Sequence, residues 1–232
     1  MSDAQRINIG RHHVLLVARE AVAPPTPYTL LLAENIPELF GLTVVDIGTG
    51  SGILAVFACL QGATRVYILD TDPAAVEAAL DNAELNGVHD RIIHLPIGQS
   101  IIPLPSGKTV DVVISNPAQL PLPESSGAHN PYYSGPDGRR MIEEVITAAP
   151  GRLSQGGRLF IVHNSVTDFP KSVALMQAVG LKPRVIGERS LELRPLFDRD
   201  WLDELGGVSR GLYAVRDGRA YERFYAVEAR LE

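Results

Sequence analysis

The sequence predicts an α/β fold: a doubly wound, mostly parallel sheet, preceded by a β-hairpin and closed by antiparallel strands. Three observations carry this expectation. Short apolar runs alternate with helical patterns between residues 43 and 179, as in sheets whose strands are covered on both faces. A glycine-rich loop at 48–52 joins the first of those runs to a helix. Asp217-Gly218 lies between two late strand-like segments as a hairpin turn.

Residues 6–9 and 13–18 alternate apolar and polar around Gly10, which reads as the hairpin. Pro24-Pro25-Thr26-Pro27 stops the strand and offers Thr26 as N-cap with Pro27 at the first helical position. A helix over 28–40 follows, carrying Leu30, Leu31, Ala33 and Leu39 at roughly helical spacing. Core strands are expected at 43–46, 65–70, 92–95, 111–115 and 158–163, and helices at 52–61, 73–86, 139–153 and 171–179. The closing strands are 184–191, 211–216 and 220–229. An amphipathic insertion near 194–210 carries Trp201 and is expected to cover the site or pack another subunit. The division is a hairpin extension, 1–25, and one main domain, 26–232.

Composition bounds the function. A chain of 232 residues, 45% hydrophobic, can bury a core that needs no disulfide or structural metal. The single Cys59 excludes an intrachain disulfide framework and a cysteine-based zinc site, and it reads as core. The N-terminus lacks the order of a signal peptide and no apolar stretch reaches membrane length, so a cytoplasmic protein without a membrane partner is expected. With 21 Lys+Arg against 27 Asp+Glu, the net charge of −6 disfavours broad contact with nucleic acid.

Residues 44–52 read Val-Val-Asp-Ile-Gly-Thr-Gly-Ser-Gly, a strand running into glycine and opening a helix. Such glycines let the backbone pass close to a ligand at a helix N-terminus. A dinucleotide fingerprint would continue from Gly48 and Gly50 to a glycine at 53, where Ile53 stands. No Gly-Lys-Ser/Thr follows for a nucleoside triphosphate either. Asp46 would repel a pyrophosphate but suits an ammonium group or a ribose hydroxyl. The expected ligand therefore has cationic character, lies against Gly48, Gly50 and Gly52, and places two ribose hydroxyls on Asp70 at the end of the second core strand.

Through Asp46-Ile47-Gly48-Thr49-Gly50-Ser51-Gly52 and Asp70-Thr71-Asp72-Pro73, the sequence resembles the S-adenosylmethionine-dependent methyltransferases of the Rossmann-like class. Pro25-Thr26-Pro27-Tyr28-Thr29, residues 78–87, Asn116-Pro117 and Gly135-Pro136-Asp137-Gly138 extend the resemblance to the HemK-like branch, which includes release-factor glutamine methyltransferases. It covers residues 6–190. It implies a seven-stranded methyltransferase sheet, S-adenosyl-L-methionine as cofactor, no metal, and Thr29 at the cofactor site. The family's adenine-binding Gly-Asp reads Gly98-Gln99 here, and Gln99 keeps an acceptor oxygen for the adenine amino group.

Residues 110–115 deliver Asn116-Pro117-Ala118-Gln119 to the sheet edge where doubly wound folds bind ligands. The related enzymes have Asn-Pro-Pro-Tyr. Methylating an amide or ring nitrogen requires acceptors for its N–H groups while its lone pair faces the methyl, work suited to the Asn116 side-chain oxygen and the Pro117 carbonyl. Asn116 and Pro117 are thus the expected catalytic residues, with Asn116 also beside the cofactor. Ala118 replaces the second proline and Gln119 the aromatic that packs on the target, so Gln119, Tyr132 and Tyr133 are the expected substrate contacts. His163 is either a base or a hydrogen-bonded structural residue. His12-His13 point to opposite faces of the hairpin and cannot readily chelate one metal. The expected activity is methyl transfer to a planar nitrogen of a protein side chain, such as glutamine, or of a small molecule. A non-catalytic cofactor-binding protein is the alternative raised by Ala118-Gln119.

Overall fold

The computed structural model describes residues 4–96, 101–127, 130 and 132–232. The chain opens with β1 (Gln5–Ile9) and β2 (His12–Leu16), paired antiparallel around Gly10. Helix α1 (Pro27–Asn35) follows. The Thr26 hydroxyl accepts from the Thr29 amide while the Thr26 amide donates to Thr29 Oγ1, a capping box built from two threonines. The helix stops short of the expected residue 40 because Ile36, before Pro37, takes an extended backbone.

The parallel core then alternates through β3 (Thr43–Ile47), α2 (Ile53–Leu60), β4 (Arg65–Leu69), α3 (Pro73–Leu85), β5 (Ile92–His94) and β6 (Val110–Ser115). A short α4 (Glu124–Gly127) and α5 (Arg140–Ala148) lead to β7 (Leu153–Asn164). Pro150-Gly151 ends α5 before the expected residue 153, and β7 claims that residue instead. The chain closes with α6 (Phe169–Ala178), β8 (Leu181–Glu192), α7 (Arg199–Glu204), β9 (Ala214–Arg216) and β10 (Arg219–Leu231). Asp217 and Gly218 both have positive φ, +49° and +76°, as a two-residue type I′ turn needs.

The main sheet has the order β5-β4-β3-β6-β7-β10-β8, with β9 added beside β10. The first five strands are mutually parallel, and β10 runs antiparallel to both β7 and β8. The sheet thus has eight strands, one more than the seven that the resemblance implies. At the edge, β8 tolerates Pro183, whose missing N–H costs nothing on the open side.

One layer, formed by the hairpin with α1, α2 and α3, covers one face through Leu32, Val56, Phe57 and Ala79. On the opposite face α5 and α6 pack through Ile142, Val145, Ile146 and Met176. The hairpin shares the first layer's core: Ile9, Val14 and Leu16 are buried there, and Asn86 hydrogen-bonds both the amide and carbonyl of Leu15. The insertion folds back on the chain itself. Phe197, Leu202, Leu212 and Tyr213 pack on Leu120 and Val166, and Trp201 Nε1 donates to the Pro136 carbonyl at 2.8 Å. No helix among the described residues is long and apolar enough to cross a membrane.

The register positions the site. Ile47 pairs with Leu69 on one side and Ser115 on the other, so Gly48, Asp70 and Asn116 are the next residues beyond one paired row. The chain order reverses between β3 and β6, which opens a crevice at their carboxyl ends.

Candidate functional site

The glycine loop is tied to the end of β4. The Gly48 and Thr49 amides donate to the Leu69 carbonyl at 2.8 and 3.0 Å. Gly50 N–H donates to Asp70 Oδ2 at 2.9 Å, and Asp72 N–H to Asp70 Oδ1 at 3.0 Å. Each Asp70 oxygen accepts one backbone bond and retains further acceptor capacity for a hydroxyl. Gly48 and Gly50 have φ of +71° and +53°, and a Cβ built on either meets no atom within 4 Å. The loop therefore leaves open space on the side that a side chain would fill. Gly52 differs: its Cβ would lie 2.7 Å from Ala79 Cα. Beside its expected role as a cofactor contact, Gly52 allows the close approach of α2 to α3.

Asp46 lies beneath the loop and is completely buried, whereas the sequence suggested a carboxylate presented to the ligand. Its Oδ2 accepts from Thr49 Oγ1 at 2.8 Å, and its Oδ1 has no partner. Burial pushes the carboxyl up to about 7, opposed by the Thr49 hydroxyl and the Ala55 amide and reinforced by the Asp70 charge. An orphaned acidic oxygen, an open backbone cradle and the acceptors of Asp70 fit the ammonium and ribose groups of S-adenosylmethionine.

Across the crevice, Asn116 Nδ2 donates to Thr29 Oγ1 at 2.9 Å. The capping box already directs the Thr26 amide onto that hydroxyl oxygen. The contact fixes the Asn116 amide with Nδ2 toward α1, and its Oδ1 has no partner among the described residues. Pro117 is buried beside it. The structure thus brings Thr29, Asp46, Gly48, Gly50, Asp70, Asn116 and Pro117 to one edge of the sheet.

Other expected contacts are placed elsewhere. Gln119 is bound back to β7, with Oε1 accepting from Asn164 N–H at 2.8 Å and Nε2 donating to the Val162 carbonyl at 3.2 Å. Its amide behaves as an added backbone unit on that strand, beside the expected role as a substrate contact. Tyr132 is 43% exposed. The Tyr133 ring lies 5.6 Å from the Arg140 guanidinium and lines a cleft of about 520 Å³ with Glu124, Asp137 and Glu143, among others. Neither Asn116 nor any glycine-loop residue forms that cleft's walls. Gln99 lies outside the described residues.

His163 resolves to the structural alternative. Its Nδ1 lies 2.8 Å from the Asn164 carbonyl, which can only accept, so Nδ1 carries the proton and Nε2 accepts from Ser172 Oγ at 2.7 Å. Complete burial, with the Arg139 charge nearby, drives its pKa down to about 3.

Sequence reasoning missed a buried polar group beside the motif. Glu222 is fully buried and accepts from the Tyr28 hydroxyl and from Asn164 Nδ2, with Arg194 Nε 3.4 Å away. The available signal was alternation: Glu222 shares the inward face of β10 with Phe224 and Ala226.

Residues 25–121 match the ribosomal protein L11 methyltransferase family. A Methanocaldococcus jannaschii protein, provisionally named a protein N5-glutamine methyltransferase, is 27% identical over 71% of this chain and 83% of its own length. The Tolumonas auensis ribosomal protein L11 methyltransferase is 46% identical over 62% of this chain, which spans 48% of that relative. Among solved structures, a T. thermophilus 16S rRNA methyltransferase bound to AdoMet and guanosine aligns over 99% of this chain and 50% of its own, with a TM-score of 0.60 and 17% identity. The E. cuniculi complex that methylates the eRF1 termination factor aligns over 91% of this chain and 99% of the matched one, with a TM-score of 0.58 and 17% identity. These structural likenesses concern the fold.

Proposed function

We propose that this chain is an S-adenosylmethionine-dependent methyltransferase, a reading supported by its likeness to protein methyltransferases, and that it methylates a planar amide nitrogen of a protein, with a glutamine side chain as the acceptor. The observation that carries this reading is Asn116, whose Nδ2 is held by Thr29 while Oδ1 remains available at the edge of β6. The name of the archaeal relative supports the acceptor chosen.

The cofactor supplies an electrophilic methyl on a sulfonium. The chain's own residues bind and orient. The backbone at Gly48 and Gly50 lets the ligand approach closely, and Asp70 takes ribose hydroxyls on the free lone pairs of its fixed carboxylate. Asp46 keeps the loop in place through Thr49. Asn116 Oδ1 and the Pro117 carbonyl would accept the N–H groups of the acceptor nitrogen, leaving its lone pair free, and would hold the hydrogen that is lost as a proton when the N–C bond replaces the cofactor's S–C bond and the thioether leaves. Transfer is mainly a positioning problem.

One observation favours a small-molecule acceptor instead. Gln119 is bound to β7, so the motif offers no ring to stack on a flat target. Incubating the full chain with methyl-labelled cofactor and cell extract, then sorting by size, separates the readings. Label in a protein band, mapped by mass spectrometry to a glutamine amide, is expected. Label confined to the small fraction overturns the protein reading, and failure of the folded chain to bind S-adenosylhomocysteine in calorimetry overturns the site.

A further inference from the structure

The carboxylate of Glu222 bridges α1 and β7. Oε1 accepts from the Tyr28 hydroxyl in the first turn of α1, and Oε2 accepts from Asn164 Nδ2 at the end of β7. Tyr28 is held on both sides: its ring meets Phe224 edge-on at 4.3 Å, and the Arg194 guanidinium lies 4.5 Å above it.

From each oxygen a bonded path continues to the same loop. Beyond Tyr28 stands Thr29, whose hydroxyl receives Asn116 Nδ2. Beyond the Asn164 side chain stands its own backbone N–H, which donates to Gln119 Oε1 at 2.8 Å. One buried acid therefore anchors both ends of Asn116-Pro117-Ala118-Gln119. Burying a carboxylate is costly even when it is paired, and apolar side chains could fill this space without that cost. The arrangement is therefore better explained by orientation than by packing.

We infer that Glu222 is a positioning residue of the transfer site, an inference that rests on the reading of Asn116 given above. Through Tyr28 and Thr29 it fixes the direction of the Asn116 amide, and through Asn164 and Gln119 it fixes the span of the loop. Arg194 offsets its charge and joins the insertion to the same anchor.

The test uses the full chain labelled with ¹⁵N, carrying Glu222→Gln or Tyr28→Phe. Tyr28→Phe keeps the ring and removes only the donor, so it reports even where Glu222→Gln folds poorly. The Asn116 side-chain amide is identified by its absence from Asn116→Ala. In both variants its solvent exchange is expected to accelerate, and the rate of label transfer at saturating cofactor to fall on the order of tenfold to hundredfold, with S-adenosylhomocysteine affinity unchanged. Unaltered Asn116 exchange in the folded variants overturns the inference. Full transfer by Asn116→Ala overturns the proposed role of Asn116 instead, and the exchange measurement still decides whether Glu222 orients that side chain.

Discussion

Replacing Gly50 and, separately, Gly52 with alanine distinguishes a glycine kept for a ligand from one kept for packing. Both have positive φ, +53° and +78°, so each alanine carries a left-handed backbone cost of about 1–2 kcal/mol. They differ in what the new Cβ meets. At 52 it lies 2.7 Å from Ala79 Cα and 2.8 Å from Ala79 Cβ; at 50 nothing lies within 4 Å. Ala79 is completely buried in α3, so the clash is relieved only by moving a helix, and overpacking of this kind adds about 1–3 kcal/mol. Gly52→Ala should therefore lose about 2–5 kcal/mol in all. In a chain of this size that lowers Tm by about 4–20 °C, against about 2–8 °C for Gly50→Ala. Affinity should show the opposite order. The Cβ at 50 enters the open side of the loop, and S-adenosylhomocysteine binding by calorimetry should weaken at least about tenfold, or about 1.4 kcal/mol. Gly52→Ala, measured well below its own midpoint, should bind nearly as the parent does. Unimpaired binding by Gly50→Ala, or a Gly52→Ala midpoint as high as that of Gly50→Ala, would refute the division.

The remaining expectations concern fixed acceptors and buried charges. Asp70→Ala removes the partner of the Gly50 and Asp72 amides as well as the proposed ribose acceptor, and calorimetry should show affinity lower by about 1.5–3 kcal/mol; undiminished binding removes Asp70 from the site. Gln119→Leu leaves the Asn164 N–H unpaired, so urea unfolding should show a loss of about 1–3 kcal/mol without a change in S-adenosylhomocysteine affinity; an undiminished unfolding free energy would refute that structural role. For Asp46 the folded value of about 7 exceeds the reference 3.8, so the folded state holds the extra proton and this group's contribution to stability falls as pH rises from about 4 to 7. His163 acts oppositely: its folded value of about 3 lies below the reference 6.5, the unfolded state holds the extra proton, and stability rises over about pH 3 to 6.5. Each slope is at most about 1.4 kcal/mol per pH unit. The two oppose each other between about pH 4 and 6.5, so unfolding of Asp46→Asn should become more acid-sensitive than the parent and His163→Gln less so; matching pH profiles for the parent and both variants would refute the assignments.

Local sequence carried much of the fold. The β3 run, the glycines after it and the Asp217-Gly218 turn each act through neighbouring residues, so their patterns are visible in one dimension. Helix ends were less visible. Ile36 and Pro37 stop α1 by a clash confined to two residues, while the apolar spacing continues to Leu39, which joins the core from beyond the helix. The same limit applies to Gly52: its place in a glycine loop suggests a ligand, and only the packing of α3 shows that Ala79 occupies that side. Gln119 read as a lost aromatic because nothing in its neighbourhood announces the backbone of β7 as its partner.

The two halves of the proposed site are built by different physical means. The cofactor half is backbone geometry: the loop from Gly48, its bonds to Leu69 and the carboxylate of Asp70 lie between Asp46 and Asp72. The acceptor half is a set of hydrogen bonds between distant residues, Asn116 to Thr29, the Asn164 backbone to Gln119, and Asn164 and Tyr28 to Glu222, and the Tyr28–Glu222 contact spans 194 positions. Backbone geometry tolerates few residue types, so it leaves a readable motif. A network of side-chain contacts leaves none, because each link needs only one donor and one acceptor at the right place in space. Substitutions in α1, β7 or β10 can therefore redirect Asn116 without touching it while the glycine loop stays intact. On the proposed reading, acceptor preference shifts without loss of the cofactor, and Ala118-Gln119 departs from the related motif while the loop from Asp46 to Gly52 keeps its pattern.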